Sequence, residues 1–352
     1  MFSRPFIIAG PCSAESREQL LATCCAVAST GLVGMLRAGV WKPRTQPDSF
    51  EGAGEQALEW LKEASELTGL PAATEVGTPQ HVEAALRHGI TTLWIGARTV
   101  VNPFSVQAIA DALRGTDAAV MIKNPLVPSV DLWQGALERI SAVVPDERIA
   151  LIHRGFVTGE EGIYRFDPMW NLAVEMRRRT AGIAMLCDPS HMAGRRELVA
   201  EVVERAANMG YDGAMIESHY EPDCALSDSR QQLTPKELDE LLKRIEWRTT
   251  EGGSRLFTES IESCRADIDS IDSRMYELLA ERMRISERIG ELKRSEGIAV
   301  LQQGRWNTML ERLPQIAQRT GLSVDFLRQI LEVIHMESIA RQQQEPMPKQ
   351  DC

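Results

Sequence analysis

Four residues with metal-ligating side chains stand just past strand-like apolar runs in this sequence. Cys12 follows the run 6–9 within Gly10-Pro11-Cys12-Ser13, and His191 closes Cys187-Asp188-Pro189-Ser190-His191. Glu217 lies in Met215-Ile216-Glu217-Ser218-His219, and Asp228 ends Leu226-Ser227-Asp228. A thiol, an imidazole and two carboxylates form a donor set suited to a divalent metal. A cysteine alone is more often core filling than ligand, and His191 also stands where it could cap a helix. The recurrence of ligand types at four such positions is what points to a metal site. His219, two residues past Glu217, ranks behind His191 and serves equally as a hydrogen-bonding neighbour of the site.

The same positions deliver cations. Arg37 ends one run, and the loop after it carries Lys42-Pro43-Arg44-Thr45; Arg98, Lys123 and Arg154 end or follow three more. Proline fixes part of the backbone between Lys42 and Arg44 and so holds them in set directions. Arginine presents a planar fork to phosphate, lysine a point charge. A metal beside a ring of cations is equipment for phosphorylated, anionic substrates. Lys123 at a strand end also admits a Schiff-base aldolase, but that chemistry leaves the Cys/His/Glu/Asp set without a use.

These residues need a scaffold that collects strand ends. Strand patterns at 6–9, 34–38, 72–76, 92–96, 119–123, 149–153, 184–187 and 213–217 alternate with helical patterns such as 17–29, 54–68, 79–88, 195–209 and 235–245. Eight strand–helix units in this length predict an α/β fold, a (β/α)8 TIM barrel with its active site at the carboxyl ends of the strands. No Gly-x-Gly-x-x-Gly turn follows the first strand, which disfavours a doubly wound sheet.

After the linker-like Thr249-Thr250-Glu251-Gly252-Gly253-Ser254 the pattern changes. Residues 258–296 carry Ile268, Ile271, Met275, Leu278, Ile285, Ile289 and Leu292 at alternating spacings of three and four, a heptad seam that needs a partner helix, which another chain can supply. Two further helices are predicted at 303–320 and 323–344. Arg282 interrupts the seam, and Lys293 lies about three helical turns further along the same face. Cations on an inward face call for an anion between helices. Ser338 and Gln342 share a face of the last helix.

The chain has 352 residues, 43% of them hydrophobic, and a net charge of −11. That charge excludes a general nucleic-acid binder, and no apolar run is long enough to span a membrane. No secretory signal pattern opens the chain. Seven irregularly spaced cysteines read as free thiols of a cytoplasmic protein.

Gly10-Pro11-Cys12-Ser13, Lys42-Pro43-Arg44-Thr45, Gly96-Ala97-Arg98, Asp188-Pro189-Ser190-His191 and Ala225-Leu226-Ser227-Asp228 resemble 3-deoxy-D-arabino-heptulosonate 7-phosphate (DAHP) synthases of the type I beta group. The related octulosonate 8-phosphate synthases share the Gly-Pro-Cys region but lack Lys-Pro-Arg-Thr. Residues 258–345 resemble an all-helical chorismate mutase through Arg265, Arg282, Lys293, Arg305, Ser338 and Gln342. Two positions depart from that family. Trp306 stands where an acidic residue usually contacts a substrate hydroxyl, and Gln302 where Asp is common.

The resemblance implies a bifunctional enzyme, barrel 1–248, linker 249–257, mutase-like helices 258–345 and a flexible tail 346–352. It implies condensation of phosphoenolpyruvate with erythrose 4-phosphate and water, and rearrangement of chorismate to prephenate. The metal, held by Cys12, His191, Glu217 and Asp228, is expected to be Mn2+, with Fe2+, Co2+ or Zn2+ as alternatives. Phosphoenolpyruvate falls to Arg37, Lys42, Arg98, Lys123 and Arg154, and the sugar phosphate to Arg44 and Thr45. Chorismate falls to Arg265, Arg282, Lys293, Arg305, Ser338 and Gln342, with Arg265 serving the partner subunit of a homodimer; paired barrels would make a tetramer. With the barrel opening near residue 6, the helices are also expected to sense prephenate or chorismate. The rival reading keeps the barrel enzyme and makes the helices a non-catalytic sensing and dimerisation module.

Overall fold

The strand-like runs close on themselves. In the computed structural model, which describes residues 4–43, 49–159, 162–249, 252 and 255–343, eight parallel strands form a closed barrel. They are β1 (Phe6–Gly10), β2 (Met35–Arg37), β3 (Ala72–Val76), β4 (Thr92–Ile95), β5 (Ala119–Lys123), β6 (Ile149–His153), β7 (Ala184–Cys187) and β8 (Gly213–Glu217). Pairing of β1 with β8 seals the barrel and sets Gly10 opposite Glu217. The helices around it are α1 (Arg17–Ala28), α2 (Gln56–Thr68), α3 (Pro79–Arg87), α4 (Pro103–Leu113), α5 (Val130–Ser141), α6 (Trp170–Arg179), α7 (Pro189–Ala193), α8 (Arg196–Asn208) and α9 (Pro235–Arg244). Local chemistry starts several of them. Thr78 and Asn102 cap α3 and α4 ahead of a proline, and Thr234 with Glu237 forms a capping box on α9.

Side-chain alternation along the strands decides what faces the barrel axis. Ile8, Met35, Trp94, Met121, Ile152, Leu186 and Met215 fill the interior. Ile7, Ala9, Leu36, Ile122, Leu151, Cys187 and Ile216 pack outward against the helices. Continuing the same parity puts Cys12, Arg37, Lys123, Arg154, Asp188 and Glu217 over the mouth of the barrel.

The chain divides into two units, Met1–Thr250 and Glu251–Cys352. The second contains α10 (Arg255–Ser295), α11 (Gln303–Glu311), α12 (Leu313–Thr320) and α13 (Val324–Gln343). One expectation is corrected here: the single helix predicted at 303–320 is two helices, broken at Arg312. Pro314 cannot donate its backbone nitrogen and is tolerated only in the first turn of α12. Gly321, in the left-handed region at φ 74, ends α12. No helix among the described residues is long and apolar enough to cross a membrane. Arg44, Thr45 and the tail 346–352 lie outside the described residues.

Candidate active sites

Gly10 makes the first approach possible. At φ 151 a Cβ there would lie 2.1 Å from the carbonyl oxygen of Arg37. With β1 drawn that close to β2, Cys12 Sγ reaches 3.4 Å from Asp228 Oδ2. Ligand atoms of Cys12, Glu217 and Asp228 all lie within 4.8 Å of one another. Asp228 is aimed by a left-handed backbone at φ 47, uncommon outside glycine but tolerated by Asp. His191 joins through Nε2, 3.8 Å from Glu217 Oε1 and 3.9 Å from Asp228 Oδ2. The imidazole does not follow the strand directly: Asp188 caps α7, and His191 sits inside that helix.

The donor chemistry fits a divalent metal. Burial, then the charge of Glu217, pushes the Cys12 thiol up to about 12, so negative charge is crowded where a cation would relieve it. Glu217 Oε1 is buried without a hydrogen bond. Asp188 receives His191 Nδ1 at 3.0 Å, which leaves the Nε2 lone pair directed at the cluster, an arrangement typical of metal-binding histidines. His219 is not part of this group. Its Nε2 lies 3.9 Å from Glu15 and its Nδ1 accepts from the Glu221 N–H, the neighbour role rather than the ligand role.

Cations surround the cluster. Arg37 donates to Cys12 O at 3.1 Å, lies 3.2 Å from Glu217 Oε1, and sits over the Trp94 indole at 4.9 Å. Its Nε and Nη1 are buried and unpartnered, as is Arg154 Nη1. Burial lowers Arg154 to about 10, which keeps it charged at neutral pH. Lys123 forms a buried ion pair with Asp188 at 2.7 Å. Burial opposes ionisation of Asp188, but His191 and Lys123 hold its carboxyl well below the usual range. Lys42, Arg98, Lys123, Arg154, His191 and Asp228 line one cavity. Guanidinium donors without partners beside a metal-capable cluster can bind a phosphate and a carboxylate at once.

Arg165, Asp188, Gln231 and Gln232 complete the site without having been singled out from sequence. Arg165 reaches Asp228 Oδ1 and Gln231 Oε1, both at 2.8 Å. Gln231 donates to Glu217 at 2.7 Å, and Gln232 accepts from the Cys12 N–H at 2.9 Å. Arg165 lies in the irregular stretch between β6 and α6, where no periodicity marks it. Asp188 was visible, as the residue after a strand whose last outward-facing side chain is Cys187.

The helical unit gathers a second cationic cluster. Arg282 donates to Ser338 Oγ, and Lys293 Nζ donates to Gln342 Oε1 at 3.1 Å and to Val300 O at 2.6 Å. Ser338 and Gln342 are buried rather than part of a solvated stripe. Gly290 allows the helices to meet: a Cβ there would lie 2.7 Å from Gln342 Cα. Arg305 is close enough to Arg282 to help burial depress the latter's pKa. Arg265 pairs with Glu262 at 2.7 Å on an exposed face, away from this cluster. The heptad residues of α10 are each at least 40% exposed in the single chain.

A closed parallel barrel with charged and metal-ligating side chains at its strand ends defines a (β/α)8 enzyme, here joined to a helical unit with a cationic cluster of its own. The chain belongs to the DAHP synthetase I family, whose model matches residues 3–253; residues 264–343 match the model for chorismate mutase type II. It is therefore an enzyme with a DAHP synthase and a chorismate mutase domain. Phospho-2-dehydro-3-deoxyheptonate aldolase of Thermotoga maritima is 34% identical over 239 residues, covering 68% of each chain. A crystal structure of that Thermotoga enzyme superimposes with a TM-score of 0.61 at 31% identity, covering 68% of this chain and 67% of the other. The T-protein of Haemophilus influenzae is 28% identical over 88 residues, 25% of this chain and 23% of its own length.

Proposed function

We propose that the barrel condenses phosphoenolpyruvate with erythrose 4-phosphate and water to DAHP and inorganic phosphate. The observation that carries this reading is the juxtaposition of Cys12, Glu217, Asp228 and His191 Nε2 with the unpartnered guanidinium donors of Arg37 and Arg154. A divalent metal held by Cys12, His191, Glu217 and Asp228, Mn2+ first among candidates, supplies Lewis acidity at the aldehyde oxygen when bound. Arg37, Lys42, Arg98, Lys123 and Arg154 hold the phosphate and carboxylate of phosphoenolpyruvate, so that its enolic carbon faces the aldehyde. Arg44 and Thr45 take the sugar phosphate. Fixing both anions removes much of the entropic barrier. Lys123 acts as a charged partner of Asp188, the form that cannot attack a carbonyl, which disfavours Schiff-base chemistry. The test is DAHP formation with and without EDTA. Chelation should abolish it and Mn2+ restore it; full turnover in metal-free enzyme sinks the metal role.

The helical unit, on the same proposal, rearranges chorismate to prephenate. No nucleophile or base is needed, only tighter binding of a compact dianionic transition state. Arg282 and Arg305 bind carboxylates, Ser338 assists Arg282, and Lys293 and Gln342 donate to the ether oxygen. Arg265 serves the partner's site in a homodimer formed on the exposed α10 seam, and sedimentation velocity tests both this dimer and a tetramer made by pairing of barrels. We assign the barrel to 1–248, the linker to 249–257, the mutase to 258–345 and a tail to 346–352, in a cytoplasmic protein whose described cysteines are free thiols. Binding of prephenate or chorismate to the helices is proposed to inhibit the barrel, a coupling that must be reciprocal for binding. An enzyme truncated near residue 250 that stays prephenate-sensitive rules this out. Trp306, stacked on His335 instead of offering a carboxylate, favours the rival non-catalytic sensor; a chorismate-loss assay on the full chain separates the two.

A further inference from the structure

Chorismate, on the reading just given, offers a site two carboxylates, an enol ether and a ring hydroxyl. Arg282, Arg305, Lys293, Ser338 and Gln342 account for the carboxylates and the ether oxygen. The hydroxyl has no counterpart among them, and residue 306 is tryptophan rather than a carboxylate.

His335 lies beside this cluster. It precedes Ser338 by three residues and Gln342 by seven on α13, so the three share one helical face. Its ring is stacked on the Trp306 indole, centroids 4.3 Å apart and planes 19° from parallel. The side chain is half-buried, and Nε2 is fully buried with no hydrogen-bond partner. Burial, then the charges of Arg282 and Lys293, lowers the imidazole below its usual pKa, so the ring is neutral at pH 7 and Nε2 can accept or donate according to tautomer. A ring present only to fill space against Trp306 would be served by phenylalanine or leucine. A buried nitrogen left unpaired costs stability until a ligand satisfies it.

We infer that His335 is a specificity-determining residue of the helical unit's site: its Nε2 exchanges a hydrogen bond with the ring hydroxyl of chorismate, and Trp306 is the positioning residue that holds the imidazole for it. This rests on the chorismate reading above.

The experiment uses the full chain and a pair of bicyclic ether dicarboxylates that mimic the mutase transition state, one with the ring hydroxyl and one without. The wild-type enzyme should favour the hydroxylated compound by about tenfold, the scale of one such hydrogen bond. His335→Ala should bring that ratio close to one, and His335→Asn should restore part of it. Equal weakening of both compounds in His335→Ala, or an unchanged ratio, overturns the inference while normal wild-type turnover leaves the chorismate reading intact. Wild-type enzyme that neither converts chorismate nor binds either compound removes the reading and the inference together. If His335→Ala loses helix content by circular dichroism, His335→Leu, which keeps contact with Trp306, decides the same ratio.

Discussion

Asp188 is the residue whose loss should be felt most widely in the barrel. Its Oδ1 accepts from the His191 N–H at 3.1 Å and from Nδ1 at 3.0 Å, while Oδ2 accepts from the Lys123 ammonium at 2.7 Å. In Asp188→Asn an amide NH2 must take one of these two places. It then points a donor either at the ammonium or at the His191 donors. At an effective dielectric of 20, charges 2.7 Å apart attract by about 6 kcal/mol. Lys123 is 5% exposed and cannot recover that in water. Breaking such a buried pair costs about 3–5 kcal/mol. For a domain of this size that is a fall in Tm of roughly 6–20 °C, read by calorimetry on the barrel transition of metal-free protein. Metal affinity should also fall about 10–100-fold, because His191 loses the partner that fixes its tautomer. A double-mutant cycle isolates the pair. In a Lys123→Met background the stability cost of Asp188→Asn should shrink by about 2 kcal/mol or more. A metal-free Asp188→Asn protein melting within about 2 °C of wild type would refute the assignment of this carboxylate as the hinge of the site.

Other expectations concern both units. Lys293→Ala should lower mutase kcat by about 10²–10³ while DAHP formation continues; an unchanged mutase rate shows that the site is elsewhere. Gly290→Ala should drive α13 away from α10 and cost about 10–100-fold in mutase kcat/KM, since sub-ångström placement is at stake; wild-type kinetics would mean that the helices absorb the methyl group freely. Burial lowers His153 to about 3 from the ordinary value near 6.5. Between those values the unfolded chain takes up a proton that the folded one refuses. Its contribution is therefore intact above pH 6.5 and is lost as pH falls, by about 1.4 kcal/mol per unit and in total about 4–5 kcal/mol by pH 3. Denaturant midpoints across pH 4–7 should flatten in His153→Gln relative to wild type; parallel curves would show that His153 takes up its proton in the folded state.

The strand count, the alternation with helices and the charged strand ends were all legible in the sequence, because short apolar runs bounded by turns have few other readings. Parity also turns Cys187 outward and Asp188 toward the mouth, a consequence of the two-residue strand period. The break within 303–320 is hidden in the sequence because the apolar periodicity runs on through Pro314, where the helical backbone cannot. Arg165 carried no signal, since irregular segments place side chains without a period. His335 looked like any residue on an amphipathic helix until Trp306 was found against it.

What the chain by itself determined is the local level: which segments are strand or helix, where they start, and which residue types stand at their ends. Only the closed barrel decided that Cys12 and Asp228, more than two hundred residues apart, touch, and only the packing of α10 on α13 decided that Lys293 meets Gln342. Periodicity is a property of neighbours along the chain, whereas a site is built from contacts whose geometry depends on how every element between them packs.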